Sequence, residues 1–294
     1  MPRFAFFGSS RFSVIVLQEL KKAGLIPSLI ITTPDKPKGR KLVLTPTPVK
    51  EWAIKEGIPF LDPAKLDDEF VKKLDSTCHY SSNEYSCDLF IVASYGKIIP
   101  AAVLAIPKFK SLNVHPSLLP KYRGASPLQS AILDDTKDTG VTIMRMDELM
   151  DHGPIVAQEN ASIGEWPVYE DFEDMMARIG GQLLAKTIPA WISDEINEEE
   201  QDHSKATFTR KVEKEDGLID LNSDPYLNFR KVQAYHEWPQ AFFFVKHAGK
   251  KIRVKVIDSS FKDGRFTPER VVPEGSKEMN FSDFLKGYGK NHPG

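Results

Sequence analysis

Over the first two-thirds of the chain, short apolar runs alternate with stretches whose apolar residues recur every three or four positions. Phe4 to Phe7 stops at Gly8 and Ser9, and Phe12, Val16, Leu17 and Leu20 follow at helical spacing. Ile26 to Ile31 reads as a strand, and Thr45 to Glu56 opens with prolines and continues as a helix. Leu89 to Ala93 predicts another buried strand, followed by Gly96 and a short helix from about Ile99. Ser111 to Val114 and Val141 to Met146 supply later strands, and Phe172 to Trp191 a long helix. Strands separated by helices predict βαβ units, hence an α/β, Rossmann-like, mostly parallel sheet with helices on both faces. Two stretches break the alternation. Asp35 to Lys41, with four basic residues, one Pro and one Gly, predicts a mobile exposed loop. The polar stretch Ser76 to Ser86 predicts an insertion between a helix and the next strand.

The acidic run Asp194 to Asp202 reads as a linker, which sets a first domain over residues 1–192, a linker over 193–205 and a second domain over 206–294. In that second part Pro225 to Tyr235 predicts a helix, and Ala241 to Val245 and Ile252 to Ile257 predict strands. A small OB-like β-barrel is the expectation. The composition, 41% hydrophobic and 27% charged over 294 residues, is that of a globular chain. The apolar runs are too short to span a bilayer, and the start lacks the pattern of a secretory leader, so a cytoplasmic protein is expected. Two cysteines exclude a disulfide scaffold. Cys78, His79 and Cys87 lack a fourth ligand and a CxxC spacing, so free thiols on a loop are expected rather than a zinc site. The net charge of −2 hides a split. Residues 1–204 carry 22 basic and 29 acidic side chains and residues 205–294 carry 17 and 12, a net −7 against +5. A basic C-terminal part suits a polyanionic partner, although an ordinary solvated surface has the same arithmetic.

Candidate chemistry narrows this picture. The turn Gly8-Ser9-Ser10-Arg11-Phe12 has one glycine where a dinucleotide fingerprint has three, and there is no Walker A sequence. The densest polar cluster is Asn113-Val114-His115-Pro116-Ser117, at the carboxyl end of a predicted strand where open α/β sheets bind ligands. Strand alternation puts Asn113 and His115 on one face. A second cluster, Asp147 to Pro154, follows another strand and brings Asp151 within range of His115. An amide to donate to an oxyanion, an imidazole and a carboxylate to orient it suit acyl transfer. No Ser or Cys occupies a nucleophile elbow, which favours direct transfer to an amine. The rival use of His115, Asp151 and His152 is a metal site with two histidines and one carboxylate, in which Asn113 has no task.

With these residues the chain resembles the folate-dependent formyltransferases. Their signature, Asn-x-His followed by SLLP, a basic-aromatic segment and Gly-Ala, reads here from Asn113 through Ser117-Leu118-Leu119-Pro120 to Gly124-Ala125, and their Asp-x-Gly reads Asp151-His152-Gly153. Three further stretches resemble the branch that formylates methionyl initiator tRNA: the basic loop Asp35 to Lys41 continuing to Lys50, the segment Ala206 to Asp220, and the ending Pro273 to Tyr288. Trp238-Pro239-Gln240-Ala241 is similar too. The resemblance implies catalysis by Asn113, His115 and Asp151, and a folate pocket shaped by Ser117, Leu118, Leu119 and Pro120 with Tyr95 and Gly96. It implies tRNA contacts from Lys36, Lys38, Arg40 and Lys41. It implies 10-formyltetrahydrofolate as formyl donor without a metal, a tRNA-binding C-terminal barrel, no membrane and a monomer. Transfer to an amino sugar nucleotide or another small amine, which shares the trio but needs no tRNA-binding part, is the alternative. The first turn departs from the family's usual Gly-Thr-Pro-x-Phe, and His152 stands where a small residue is usual.

Overall fold

The first strand is buried along its whole length because neighbours flank it on both edges and both faces. β1 (Phe4–Gly8) contributes five buried residues, as expected of a central parallel strand. The computed structural model describes residues 3–39, 42–79 and 87–288. Ser10 starts α1 (Arg11–Lys22) by a reciprocal box with Ser13, and Lys21 and Lys22 meet the negative end of its dipole. Then come β2 (Leu29–Ile31), a hairpin of β3 (Lys36–Lys38) and β4 (Val43–Thr45), and α2 (Pro48–Glu56). Thr47 caps α2, Pro48 sets its first turn, and Gly57 ends it in the left-handed region (φ 69). β5 (Phe60–Leu61), α3 (Asp68–His79), β6 (Leu89–Ala93), α4 (Ala101–Leu104) and β7 (Ser111–His115) complete the first half. Next are β8 (Arg123–Gly124), α5 (Pro127–Leu133), β9 (Asp138–Arg145), β10 (Ile155–Ser162), α6 (Tyr169–Ile192) and β11 (Phe208–Thr209).

The central sheet has the order β10-β9-β7-β6-β1-β2-β5. Pairs β1–β2, β1–β6, β2–β5 and β6–β7 are parallel, and β7–β9 is antiparallel. Helices cover both faces. On one, Ala5, Phe7, Leu29, Ile31, Phe90 and Val92 pack with Phe70 and Leu74 of α3 and Val103 of α4. On the other, α6 approaches at backbone distance: a Cβ on Gly180 would strike Val114 and Val141, and one on Gly181 would strike Glu19. The expected fold class is found. Strand order reverses at β1, whose successors lie on opposite sides, so the switch point falls between the carboxyl ends of β1 and β6.

Three local expectations are corrected. The segment from Asp35 is a two-stranded hairpin as far as it is described, with Lys36 opposite Thr45 and Lys38 opposite Val43. Its ladder buries little, as Leu42, Val43 and Leu44 are exposed, so no burial pattern announced it. Ser76 to His79 continue α3 rather than opening an insertion, and residues 80–86 of that stretch lie outside the described residues. Cys78 and Cys87 are in no disulfide but are buried in the core with α3 and β6, not on a loop surface.

Two compact units can be distinguished. The first comprises Met1–Arg123, Gly140–Ala161 and Asp174–Phe208, and the second Gly124–Thr139, Ser162–Glu173 and Thr209–Gly294. In the second, α7 (Pro225–Ala234) precedes β12 (Phe242–His247), β13 (Lys250–Lys262), β14 (Arg265–Pro273), β15 (Met279–Asn280) and α8 (Phe281–Tyr288). The four strands form an antiparallel sheet in sequence order, consistent with a small barrel-like domain. A bulge near Asp258 bends the long β13. Val232, Phe243, Val254, Val256, Val271 and Phe284 form its core. Elsewhere in this unit Asp135 accepts from Trp166 Nε1 at 2.7 Å and from the Tyr226 hydroxyl at 2.9 Å. No helix among the described residues is long and apolar enough to cross a membrane.

Candidate active site

β7 carries the first two site residues on one face. In register, Ser111 pairs with Phe90 and Asn113 with Val92, while His115 pairs with Thr142 of β9. Paired residues share a face, so Asn113 and His115 stand on the side of Phe90 and Val92, as alternation required. Both are buried, at 9% and 4% exposure.

The His115 ring is oriented from both sides. The Tyr122 carbonyl lies 2.9 Å from Nε2, and since a carbonyl only accepts, Nε2 carries the proton. The other ring nitrogen, Nδ1, faces Asp151 Oδ1 at 3.6 Å. That separation is too long for a direct hydrogen bond.

Asp151 belongs to the loop between β9 and β10. Gly153 is required there because a Cβ would collide with the Arg145 carbonyl, which accounts for the glycine two residues after the acid. Asp151 itself is left-handed, with φ 50. Behind it, the Gln201 side chain donates to the carbonyls of Asp151 and Gly153 and accepts from Arg123. Arg123 also donates to His203 Nδ1 at 2.8 Å. Burial pulls the Arg123 pKa down, against the upward pull of Asp151 and Asp147. His152 stacks on His203, with ring centroids 4.1 Å apart and planes 10° apart, and its Nδ1 faces Asp147 at 2.7 Å. His152 thus belongs to the loop's support. Among the described residues, no group of three or more His, Cys, Asp or Glu is arranged to hold a metal ion.

Thr142, directly opposite His115, organises the segment 117–120. Its hydroxyl donates to the Ser117 carbonyl at 2.6 Å and accepts from the Leu119 amide and from Gln158 Nε2. Gln158 also donates to the Leu119 carbonyl at 2.9 Å, and the Leu119–Pro120 peptide is cis. Ser117 and Leu119 are buried, while Leu118 and Pro120 are partly accessible. Gly96 is exposed with φ 79 beyond β6. The neighbouring Tyr95 ring packs edge-on against Phe7 in the core, and burial pushes its hydroxyl up to about 12. At the switch point the Ser9 amide donates to the Ser94 carbonyl at 3.2 Å, and Ser13 donates to the Ala93 carbonyl at 2.6 Å. The structure therefore brings Asn113, His115, Asp151 and the 117–120 segment into one unit. Lys36 lies exposed on the hairpin. Arg40, Lys41 and the Lys38 side chain lie outside the described residues. Sequence reasoning missed Arg123, Thr142, Gln158, Gln201 and His203. Arg123 lay inside the quoted signature, and the others carried no local signal.

Comparison with known proteins places the chain in a family. The formyl transferase family model matches residues 2–188. The methionyl-tRNA formyltransferase of Methylococcus capsulatus is 32% identical over 97% of this chain and 97% of its own length. That of Chloroflexus aggregans is 39% identical over 92% of this chain and 84% of its own. Among solved structures, the N-formyltransferase of Helicobacter canadensis, in complex with folinic acid and dTDP-3-aminofucose, shares the fold at TM-score 0.63. It has 17% identity and covers 95% of this chain and 99% of its own. The chain belongs to the formyl transferase family, among the methionyl-tRNA formyltransferases.

Proposed function

We propose that this chain transfers a formyl group from 10-formyltetrahydrofolate to the α-amino group of methionyl initiator tRNA. The observation that carries the chemistry is Nδ1 of His115 facing Asp151, with Asn113 on the same face of β7. The attacking amine adds to the formyl carbon and its proton passes to His115 Nδ1, with Asp151 balancing the imidazolium. The oxyanion is held by the Asn113 amide and the Nδ1–H just formed. Collapse breaks the bond to the folate nitrogen, which takes that proton and leaves as tetrahydrofolate. The segment Ser117 to Pro120, with Gly96 and the backbone of Tyr95, lines the folate site.

The choice of acceptor rests on the full-length similarity to methionyl-tRNA formyltransferases and on charge. In the C-terminal sheet Lys246 pairs with Lys251, Phe244 with Arg253 and Phe242 with Lys255, so cations and aromatic rings share one face. Arg253 lies 3.6 Å over Phe242, and Lys251 lies 4.0 Å over Phe244. Phe242 is buried beneath Arg253, and the exposed ring of Phe244 with the exposed Lys246 and Lys251 suits a phosphate backbone with a stacked base. We assign formyl transfer to residues 1–192, a linker to 193–205 and tRNA contact to 206–294, with Lys36, Lys38, Arg40 and Lys41 holding the acceptor end. We take the enzyme to act as a cytoplasmic monomer.

The test is transfer of labelled formyl from 10-formyltetrahydrofolate to methionyl initiator tRNA, with free methionine, uncharged tRNA and an amino sugar nucleotide as controls. Label on the charged tRNA alone is expected, with KM rising steeply with salt as phosphate counterions are released. Label on the sugar nucleotide instead would transfer the assignment to small amines.

A further inference from the structure

A residue with a Cβ rarely adopts the left-handed conformation found at Asp151 (φ 50), and it persists where the surroundings enforce it. The enforcing groups come from fifty residues further along. Gln201, 4% exposed, donates from Nε2 to the Asp151 carbonyl at 3.0 Å and to the Gly153 carbonyl at 2.6 Å, bracketing the loop. Its Oε1 accepts from Arg123 Nε at 3.1 Å and Nη2 at 2.6 Å. These partners fix which way the amide points, because a guanidinium only donates and a carbonyl only accepts. Arg123, 3% exposed, is held in turn by the backbone hydrogen bond from its amide to the Thr207 carbonyl and by its bond to His203.

We propose that Gln201, oriented by Arg123, is a positioning residue for formyl transfer: it sets the Asp151 carboxylate 3.6 Å from His115 Nδ1 by holding the backbone on both sides of it. The proposal rests on the role given to Asp151 above. It lies beyond the matched family segment, which ends at residue 188.

The test uses the full chain with two substitutions. Gln201→Leu removes every polar contact of the side chain. Gln201→Glu keeps its volume and the acceptors for Arg123, but turns carboxylate oxygen toward the two carbonyls. Binding of tetrahydrofolate, followed by intrinsic fluorescence, counts folded sites, and kcat is expressed per site. Both variants are expected to lose about tenfold or more in kcat, since small displacements of a reacting group are costly. KM for the formyl donor should stay within about twofold. In the Asp151→Ala background, Gln201→Leu should cost less than about threefold, because a group acting through Asp151 has nothing left to position. Unchanged kcat in both variants overturns the proposal. The same loss with and without Asp151 also overturns it, for that is the signature of a general structural role. Absence of transfer by the unsubstituted chain overturns the underlying reading and this proposal together. Normal transfer by the unsubstituted chain beside a fully active Gln201→Leu overturns the proposal alone.

Discussion

Asn113 and His115 sit on a regular strand, and Asp151 sits in a loop, though all three serve one site. The first two are placed by the ladder: β7 pairs with β6 on one edge and β9 on the other, so their direction follows from register. Asp151 has no ladder. Its backbone lies outside the region open to most residues and is fixed by a side chain from another segment. Strand-borne groups are thus positioned by many weak, redundant bonds, and the loop-borne acid by a few specific ones.

The largest expected effect is on chemistry. Asn113→Ala and Asp151→Ala should each lower kcat about 10²-fold or more, while the thermal midpoint of each variant stays close to that of the parent. Near-normal turnover in either would remove that residue from the mechanism. A smaller effect tests the ladder side. Thr142→Val strands the Ser117 carbonyl and the Leu119 amide, costing about 1–3 kcal/mol of stability by chemical denaturation. If the 117–120 segment lines the folate site, KM for the donor should rise more than kcat falls. The smallest effect comes from a control in the other unit. Asp135 is also left-handed (φ 56) and held by side chains, yet it lies outside the proposed chemistry. Burial would raise its pKa, but the Trp166 and Tyr226 hydrogen bonds, with Arg230 and Lys137 nearby, lower it. A depressed carboxylate pKa adds stability above the ordinary aspartate range, and that stability is lost as pH falls through the folded-state pKa. Asp135→Asn should therefore cost about 1 kcal/mol near neutrality, converge with the parent in acid, and leave kcat unchanged. Melting temperature against pH, with parallel kcat measurements, checks this. A fall in kcat would show that strain of this kind matters to turnover wherever it occurs.

The same contrast explains what was legible in the sequence. Period-two alternation alone puts Asn113 and His115 on one face, and the apolar runs mark the central sheet because its strands are buried on both faces. The hairpin after Asp35 escaped because its ladder buries nothing that patterning could register. α3 ran on through Ser76 to His79 because the core contact of Cys78 outweighs a polar composition. Gln201 and His203 were invisible for a third reason. They sit in an acidic stretch, and their value comes only from partners about 50 to 80 residues away.

The Gln201 bonds also bear on how this chain can be recombined. Residues 199 to 203 follow the long helix α6 but belong with the loop that carries the acid: Glu199 bridges Ile155, and Gln201 reaches Asp151 and Gly153. A chimera that takes everything after residue 192 from a relative imports a foreign wall for its own carboxylate. A junction placed after Phe208 keeps the native one, so crossover position alone should separate active from sluggish hybrids.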